Sequence, residues 1–263
     1  MSNLVVSVLG NADYFLLMLF RVSGLVFPSP LFGRVNLPAP AKISLCLALT
    51  ALFFIYRPFY RPIAYNSLIS FAVLCLCELL LGLSLAFVTN LFFTLTFTAG
   101  HMIDMQIGFG IVNVYDIQNN TQIPMIGNLL NLLLLIIFFG VNGHHRLIGI
   151  IDATLAALPL GHLIFNPQIG LVALEVFALS FTLGIMIALP VIASGLVLEI
   201  CFGVIVRTVP QINMFVVGIP LKLLIGLVIL LFILPAFMGF SETVFSEMFS
   251  GVEKMFATFM AAS

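Results

Sequence analysis

The sequence has no tryptophan and very little charge. Of its 263 residues, 7% are charged and 62% are hydrophobic, and the formal net charge is −1. A soluble domain carries about 25% charged residues, so this chain has too few polar groups to cover a surface facing water. The composition therefore predicts an integral membrane protein. Because no basic block or acidic tail is present, it also argues against nucleic acid as a partner.

The sequence also lacks the short motifs that mark common enzymes. It contains no G-x-S-x-G, H-E-x-x-H, P-loop or glycine-rich dinucleotide motif. His101 and Asp104 lie three residues apart on one helical face, but a single such pair provides too few ligands to hold a metal. We therefore predict a non-enzymatic protein without a cofactor. The four cysteines lie in apolar runs and are predicted to be small buried side chains: Cys46, Cys75, Cys77 and Cys201.

Hydrophobic runs separated by proline and glycine predict six or seven helices, so the expected fold class is all-α. A helix that crosses the hydrocarbon needs roughly 20 apolar residues, and several runs are shorter or much longer than that. The predicted helical runs are Tyr14–Phe27, Ile43–Tyr56, Leu68–Ile107, Ile126–Phe139, Leu147–Gly161, Ile169–Val206 and Leu221–Phe240.

The C-terminal segment Ser241–Ser263 differs from these runs. Its apolar residues recur at spacings of three and four, with charged residues between them, which predicts a short amphipathic helix. Such a helix either lies on a surface or binds a partner. The apolar positions are Phe245, Met248, Val252, Met255 and Phe259.

Ionisable residues inside the apolar runs are the first functional candidates, because an unpaired charge in hydrocarbon costs several kcal/mol. We expect pairing between helices; a proton relay and contacts to other subunits or to a wet passage are the alternatives. The candidates are Arg21, Glu78, Asp104, Asp152, Glu175, Glu199, Arg207 and Lys222. Four of them are predicted to be buried charges that pair between helices: Arg21, Glu78, Asp104 and Glu199.

The segment Met105–Gly127 reads "MQIGFGIVNVYDIQNNTQIPMIG" and follows a long apolar run. Gly108 and Gly110 each weaken helix propagation by about 1 kcal/mol. The segment is either an ordinary connection or a flexible apolar loop that plugs an opening.

A second polar segment, "RTVPQINMFVVGIPLK", lies between two strongly apolar runs. Arg207 is expected at the C-terminal end of one helix, where a cation favours the helix dipole. Pro220 is expected at the start of the next helix, with Lys222 in its first turn. A plain loop would not need Gln211 and Asn213 beside an apolar middle, which together suit contacts with neighbouring subunits.

Four blocks of the sequence together resemble the FliR family, the flagellar counterpart of the SctT proteins of type III secretion. The blocks are Phe20–Leu49, Ala99–Asp116, Asn142–Gly161 and Leu189–Leu227. The resemblance covers nearly the whole chain. It depends on polar residues at fixed offsets in separate blocks, which hydrophobic composition alone would not produce.

The resemblance implies one FliR subunit joined to several FliP and FliQ subunits, with FlhB and FlhA as further partners. Together they form a helical export gate in the inner membrane, within the flagellar basal body. Unfolded rod, hook and filament proteins pass through it, and members of the family are non-enzymatic. The resemblance also implies a FliP-like region over residues 1–165 and a FliQ-like helical hairpin over residues 166–240, divided near Pro159 to Pro167. Residues 241–263 form the tail.

The same resemblance gives roles to the two polar segments. The loop near residues 106–122 becomes the channel plug, with Gln106, Gly108, Phe109, Gly110, Ile111, Val112 and Asn113 as its residues. The second polar segment becomes the tip of the FliQ-like hairpin, with Arg207, Gln211, Asn213, Pro220 and Lys222 in contact with other subunits.

Two alternatives stay open from the sequence. One is an SctT-type subunit of an injectisome. The other is a proton-coupled secondary transporter that uses Glu78, Glu199 and Arg207. A transporter predicts inverted repeats with broken helices at matching positions, and the sequence shows no such symmetry.

Overall fold

The computed structural model describes residues 11–30, 38–57, 63, 65–109, 124–161, 166–209 and 214–261. These residues form seven helices, so the predicted all-α class is confirmed. The helices are α1 (Ala12–Val26), α2 (Ala39–Tyr56), α3 (Leu68–Ile107), α4 (Met125–Gly140), α5 (Gly143–Ala157), α6 (Gln168–Thr208) and α7 (Met214–Met260).

Four of these helices are long and apolar enough to cross a membrane. They are α2, α3, α6 and residues Val216–Met260 of α7, and the bent pair α4–α5 adds a fifth span if it is counted as one. The membrane class expected from the composition is therefore matched by helices of sufficient length.

Proline, glycine and asparagine set several helix ends. Pro28 follows the last turn of α1. Pro38 is the N-cap of α2 and Pro40 lies in its first turn, where a missing N–H costs nothing. Gly108 follows α3 with a φ of 100°, and Asn142 separates α4 from α5 with a φ of 57°. Both residue types adopt the left-handed region more readily than others.

The last helix differs from the prediction. It begins at Met214, not near Leu221, so Pro220 and Pro235 lie inside it. It also continues to Met260, and the predicted tail helix is therefore the end of α7. Gly239, close to that junction, weakens a helix by only about 1 kcal/mol, which is too little to end it.

By backbone contacts the chain divides into two compact units. Unit 1 contains Met1–Leu91, Val141–Val176 and Met248–Ser263, and unit 2 contains Phe92–Gly140 and Phe177–Glu247. The boundary predicted near residue 165 depends on resemblance to FliP and FliQ and not on backbone contacts. It stays a prediction.

In unit 1, α1 and α3 meet backbone to backbone. A Cβ atom on Gly24 would lie 2.5 Å from the carbonyl oxygen of Leu79, and one on Gly82 would lie 2.3 Å from that of Arg21. Small residues allow such close helix contacts in membrane proteins. Both helices carry buried side chains, among them Leu17, Met18, Val22, Leu81 and Leu85.

Unit 2 repeats this device where α3 meets α4. A Cβ atom on Gly100 would lie 2.0 Å from the backbone of Gly127. Beside it, Asn131 donates its side-chain amide to the carbonyl oxygen of Phe93, at 3.1 Å, and to the hydroxyl of Thr96, at 3.2 Å. The start of α4 is therefore fixed firmly against α3.

Candidate functional site

The predicted plug begins where α3 ends. Gln106 lies in the last turn of α3, so it is helical and not part of a loop as predicted. Gly108 ends the helix, and a Cβ placed on it would meet no atom of the described residues within 4 Å. Phe109 follows and is half-buried. The remaining predicted plug residues, Gly110, Ile111, Val112 and Asn113, lie outside the described residues.

Gln106 and Ile107 pack against glycines of α6 and α7. A Cβ on Gly195 would lie 2.4 Å from Nε2 of Gln106, and a Cβ on Gly226 would lie 2.6 Å from Cγ1 of Ile107. Nε2 of Gln106 is buried without a hydrogen-bond partner in the described part of the chain. A cavity of about 10 Å³ lies beside it, and Ser194 helps to line that cavity.

The predicted hairpin tip lies between α6 and α7. Arg207 is exposed in the last turn of α6, as the sequence predicts. Gln211 and Asn213 fall between the described ranges. Because α7 begins at Met214, Pro220 lies in its second turn and Lys222 in its third, and not at the helix start as predicted.

The structure brings Lys222 and Glu199 together. Nζ of Lys222 lies 2.5 Å from Oε1 of Glu199 and links α7 to α6. The prediction that Glu199 is buried is wrong, because 49% of its side chain is exposed. Hydropathy shows only that the neighbouring residues are apolar, and Val197 and Ile200 beside it are themselves exposed.

Arg21 and Glu78 form a fully buried ion pair between α1 and α3. Nε of Arg21 lies 2.6 Å from Oε2 of Glu78. Nη1 of Arg21 also donates to the carbonyl oxygens of Thr154, at 2.9 Å, and Leu158, at 3.1 Å, which lie at the C-terminal end of α5. The other carboxylate oxygen of Glu78 accepts the backbone N–H of Gly161 at 2.9 Å. The cation therefore also stabilises the negative end of a helix.

Asp104 is buried, as predicted, but in the described part of the chain it forms no ion pair with a lysine or arginine. Its Oδ1 accepts the backbone N–H of Ile126 at 3.3 Å. This contact places a carboxylate at the start of α4, where the helix dipole and the first free N–H groups favour an anion. Asp104, which lies on α3, thus caps the N-terminal end of α4.

Asp152, a candidate from the sequence, has a partner that the sequence does not indicate. Arg57 binds Asp152 with two hydrogen bonds of 2.7 and 2.8 Å, which raise the pKa of Arg57. The partners lie 95 residues apart, so no local pattern reveals them. At the exposed end of α1, Tyr65 donates its hydroxyl to Asp13 at 2.6 Å, and this bond raises the pKa of Tyr65.

Further contacts fix the end of α7 within unit 1. Lys254 lies 2.7 Å from Glu175, and the guanidinium of Arg146 lies 4.2 Å from the ring centre of Phe249.

The prediction that all four cysteines are buried is wrong for two of them. Cys46 and Cys75 are buried, but Cys77 is half-buried and Cys201 is exposed. All four are free thiols.

The chain alone leaves large apolar side chains of α6 and α7 uncovered. Phe232 is 79% exposed and Leu231 is 66% exposed, both near the middle of α7. On α6, Ile200 and Val204 are likewise exposed. Such a surface requires lipid or other protein subunits to cover it.

Comparison with known proteins matches residues 12–248 to the family described as "Bacterial export proteins, family 1". The flagellar biosynthetic protein FliR of Aquifex aeolicus (strain VF5) is 32% identical over 249 residues, which cover 93% of this chain and 94% of that protein. The FliR proteins of Escherichia coli (strain K12) and Bacillus subtilis (strain 168) are each 30% identical and cover 88% of this chain. The aligned regions take in 88% and 90% of those proteins.

These matches set aside the secondary-transporter alternative, since they cover nearly all of the helical chain. They also agree with the helices long enough to cross the inner membrane. The chain belongs to the FliR family of bacterial export proteins, a non-enzymatic family of flagellar export-gate components.

Proposed function

We propose that this chain is a channel subunit of the flagellar export gate, assembled with FliP and FliQ subunits and in contact with FlhB and FlhA. One copy per gate lines part of the passage for unfolded rod, hook and filament proteins. Residues 1–165 take the place of a FliP-like subunit and residues 166–240 that of a FliQ-like hairpin.

The uncovered apolar surface of α6 and α7 is the observation that carries the proposal. Contact of exposed apolar side chains such as Ile200, Leu231 and Phe232 with water would be energetically unfavourable. Neighbouring hairpins of similar character would cover them in a mixed helical assembly, with lipid covering the rest. Polar side chains at the hairpin tip would then fix the order of the subunits.

The hairpin tip gives the experiment that tests the partners. Changing Gln211 and Asn213 together to alanine should reduce the amounts of FliP and FliQ that co-purify with the tagged chain in mild detergent. The matched control changes Gln168 to alanine, an exposed polar residue at the opposite end of α6. Normal co-purification after the tip change would contradict a docking role. Absence of FliP and FliQ from the unaltered chain would overturn the assembly itself.

The plug is proposed to include Gln106 and residues 108–113. Its support is that α3 ends at Gly108 with a φ of 100°, and that a Cβ placed there would meet no atom of the described residues within 4 Å. Deleting residues 108–113 should make the cell membrane conduct small ions, measured as a fall in membrane potential in cells that express the whole gate. A membrane potential equal to that with the unaltered chain would remove the plug assignment.

A further inference from the structure

Tyrosine is concentrated at one end of unit 1. The chain has 27 phenylalanines but only 5 tyrosines, and α4 to α7 contain no tyrosine. Tyr14 lies in the first turn of α1, Tyr56 is the last residue of α2, and Tyr65 lies just before the start of α3. The chain therefore uses a ring with a hydroxyl group at these helix ends and apolar rings in most other places.

Two contacts bring these helix ends together. The ring centres of Phe15 and Phe54 lie 5.6 Å apart and join the start of α1 to the end of α2. The hydroxyl of Tyr65 donates to Asp13 at 2.6 Å and joins the start of α1 to the start of α3. The tyrosines thus lie at the same end of unit 1 and not at opposite ends.

The charges at this end are paired. Arg57, the residue after α2, binds Asp152 of α5 with hydrogen bonds of 2.7 and 2.8 Å, and the two side chains are 30% and 34% exposed. Tyr14 and Tyr56 also interact electrostatically with Arg57. This end therefore presents hydroxyl groups and a half-exposed ion pair whose charges cancel.

An apolar surface on α2 leads up to these polar groups. The helix has 18 residues, so it is roughly 27 Å long, close to the thickness of about 30 Å of the hydrocarbon layer. Leu47, Leu52 and Ile55 are 42%, 61% and 58% exposed along it, and Tyr56 at its end is 74% exposed. The exposed surface thus changes from apolar to amphipathic at the last residue of the span.

We propose that this end of unit 1 lies in the headgroup layer of a phospholipid bilayer. The rings of Tyr56 and Tyr65 lie at the edge of the hydrocarbon, and Arg57 and Asp152 lie among the headgroups. Tyrosine and tryptophan are the residues enriched at this level of a membrane, and this chain has no tryptophan. A lipid surface fits better than a protein partner, because the charged groups here already bond to each other within unit 1. The proposal is independent of the plug and of the hairpin tip.

A tryptophan introduced at this end tests the proposal, because it is the only tryptophan in the chain. The full-length variant Tyr56→Trp is reconstituted into phosphatidylcholine vesicles whose lipids carry bromine either near the ester carbonyls or near the ends of the acyl chains. Bromine quenches the fluorescence of a tryptophan that it contacts. We expect bromine near the carbonyls to quench this variant more strongly than bromine near the chain ends. Because Tyr56 is mostly exposed, the change leaves the packing of α2 intact.

The matched control is Leu47→Trp, an exposed position near the middle of α2. Bromine near the chain ends should quench this control more strongly, and its depth should differ from that of Tyr56→Trp by roughly 13 Å. Tyr65→Trp provides a second reporter and should lie at the same depth as Tyr56→Trp.

Three results would overturn the proposal. Stronger quenching of Tyr56→Trp by bromine near the chain ends would place this end inside the hydrocarbon. Quenching by neither lipid would show that water or another copy of the chain covers it, and added iodide distinguishes the two because it quenches from water. Failure of both lipids to quench Leu47→Trp would show that α2 does not cross the bilayer.

Discussion

Two ion pairs in this chain use the same chemistry in opposite surroundings. Arg21 and Glu78 in unit 1 have side chains that are 1% and 0% exposed, and three backbone groups bond to Nη1 of Arg21 and Oε1 of Glu78. Lys222 and Glu199 in unit 2 are 21% and 49% exposed and lie beside uncovered apolar side chains. The first pair is enclosed within the chain, and its main hydrogen bonds go to groups of unit 1. The second leaves polar atoms available on the surface where we expect other subunits.

The surroundings also set the free energy that each pair contributes. Removing one partner of a buried pair costs about 3–5 kcal/mol, because the other charge stays in an apolar site. Removing one partner of an exposed pair costs about 0–1 kcal/mol. Unit 1 is thus expected to depend on its ion pair for stability, and the hairpin of unit 2 is expected to use its pair for function.

The largest effect is expected from Glu78→Gln. It removes the charge opposite Arg21 and should lower the free energy of unfolding by about 3–5 kcal/mol, or the midpoint of thermal unfolding in detergent by about 10 °C. The matched control is Glu175→Gln, whose partner Lys254 is half exposed. We expect that control to change the midpoint by about 2 °C or less. Equal midpoints for the two variants would contradict the role given to the buried pair.

A smaller loss is expected from Gly82→Ala. The added methyl would lie 2.3 Å from the carbonyl oxygen of Arg21, and backbone cannot move aside as a side chain can. Overpacking of this kind costs about 1–3 kcal/mol. Gly203→Ala on α6 is the control, since its Cβ would meet no atom of the described residues within 4 Å. A Gly82→Ala chain as stable in thermal unfolding as the Gly203→Ala chain would show that α1 and α3 do not touch as described.

The smallest loss of stability is expected from Glu199→Gln and Lys222→Met. Each should lower the free energy of unfolding by about 0–1 kcal/mol. Both should nevertheless reduce export of hook protein into the medium, because they disturb the hairpin formed by α6 and α7 one turn from its contact with Gln106. Export equal to that of the unaltered chain would separate this ion pair from the function of the gate.

Much of the helical framework could be predicted from the sequence because its signals are local. The run Leu68–Ile107 contains no proline, and the structure has one helix with those bounds. Pro38 and Pro40 predict the start of a helix, which the structure places at Ala39. The start of α7 was missed because Pro220 is a helix breaker by local rules, and packing in the folded chain outweighs that preference.

The contacts of the candidate site could not be predicted, because they join residues far apart in sequence. Asp104 faces the start of α4 and not a basic side chain, and no periodic pattern specifies that choice. Gly195 and Gly226 resemble any other glycine in an apolar helix, and only the folded chain shows that Gln106 and Ile107 pack against them. The burial of Glu199 was predicted wrongly because hydropathy cannot distinguish lipid, a neighbouring subunit and the chain's own core.

The most direct test of this comparison measures export per molecule of gate protein for Glu78→Gln and Lys222→Met in the same cells. The amount of each variant in the membrane is measured by immunoblot, and exported hook protein is measured in the medium. We predict that Glu78→Gln lowers the amount of the chain but leaves export per molecule nearly unchanged. Lys222→Met should leave the amount unchanged and lower export per molecule. A loss of amount and export in equal proportion for both variants would contradict the division between a stabilising and a functional ion pair.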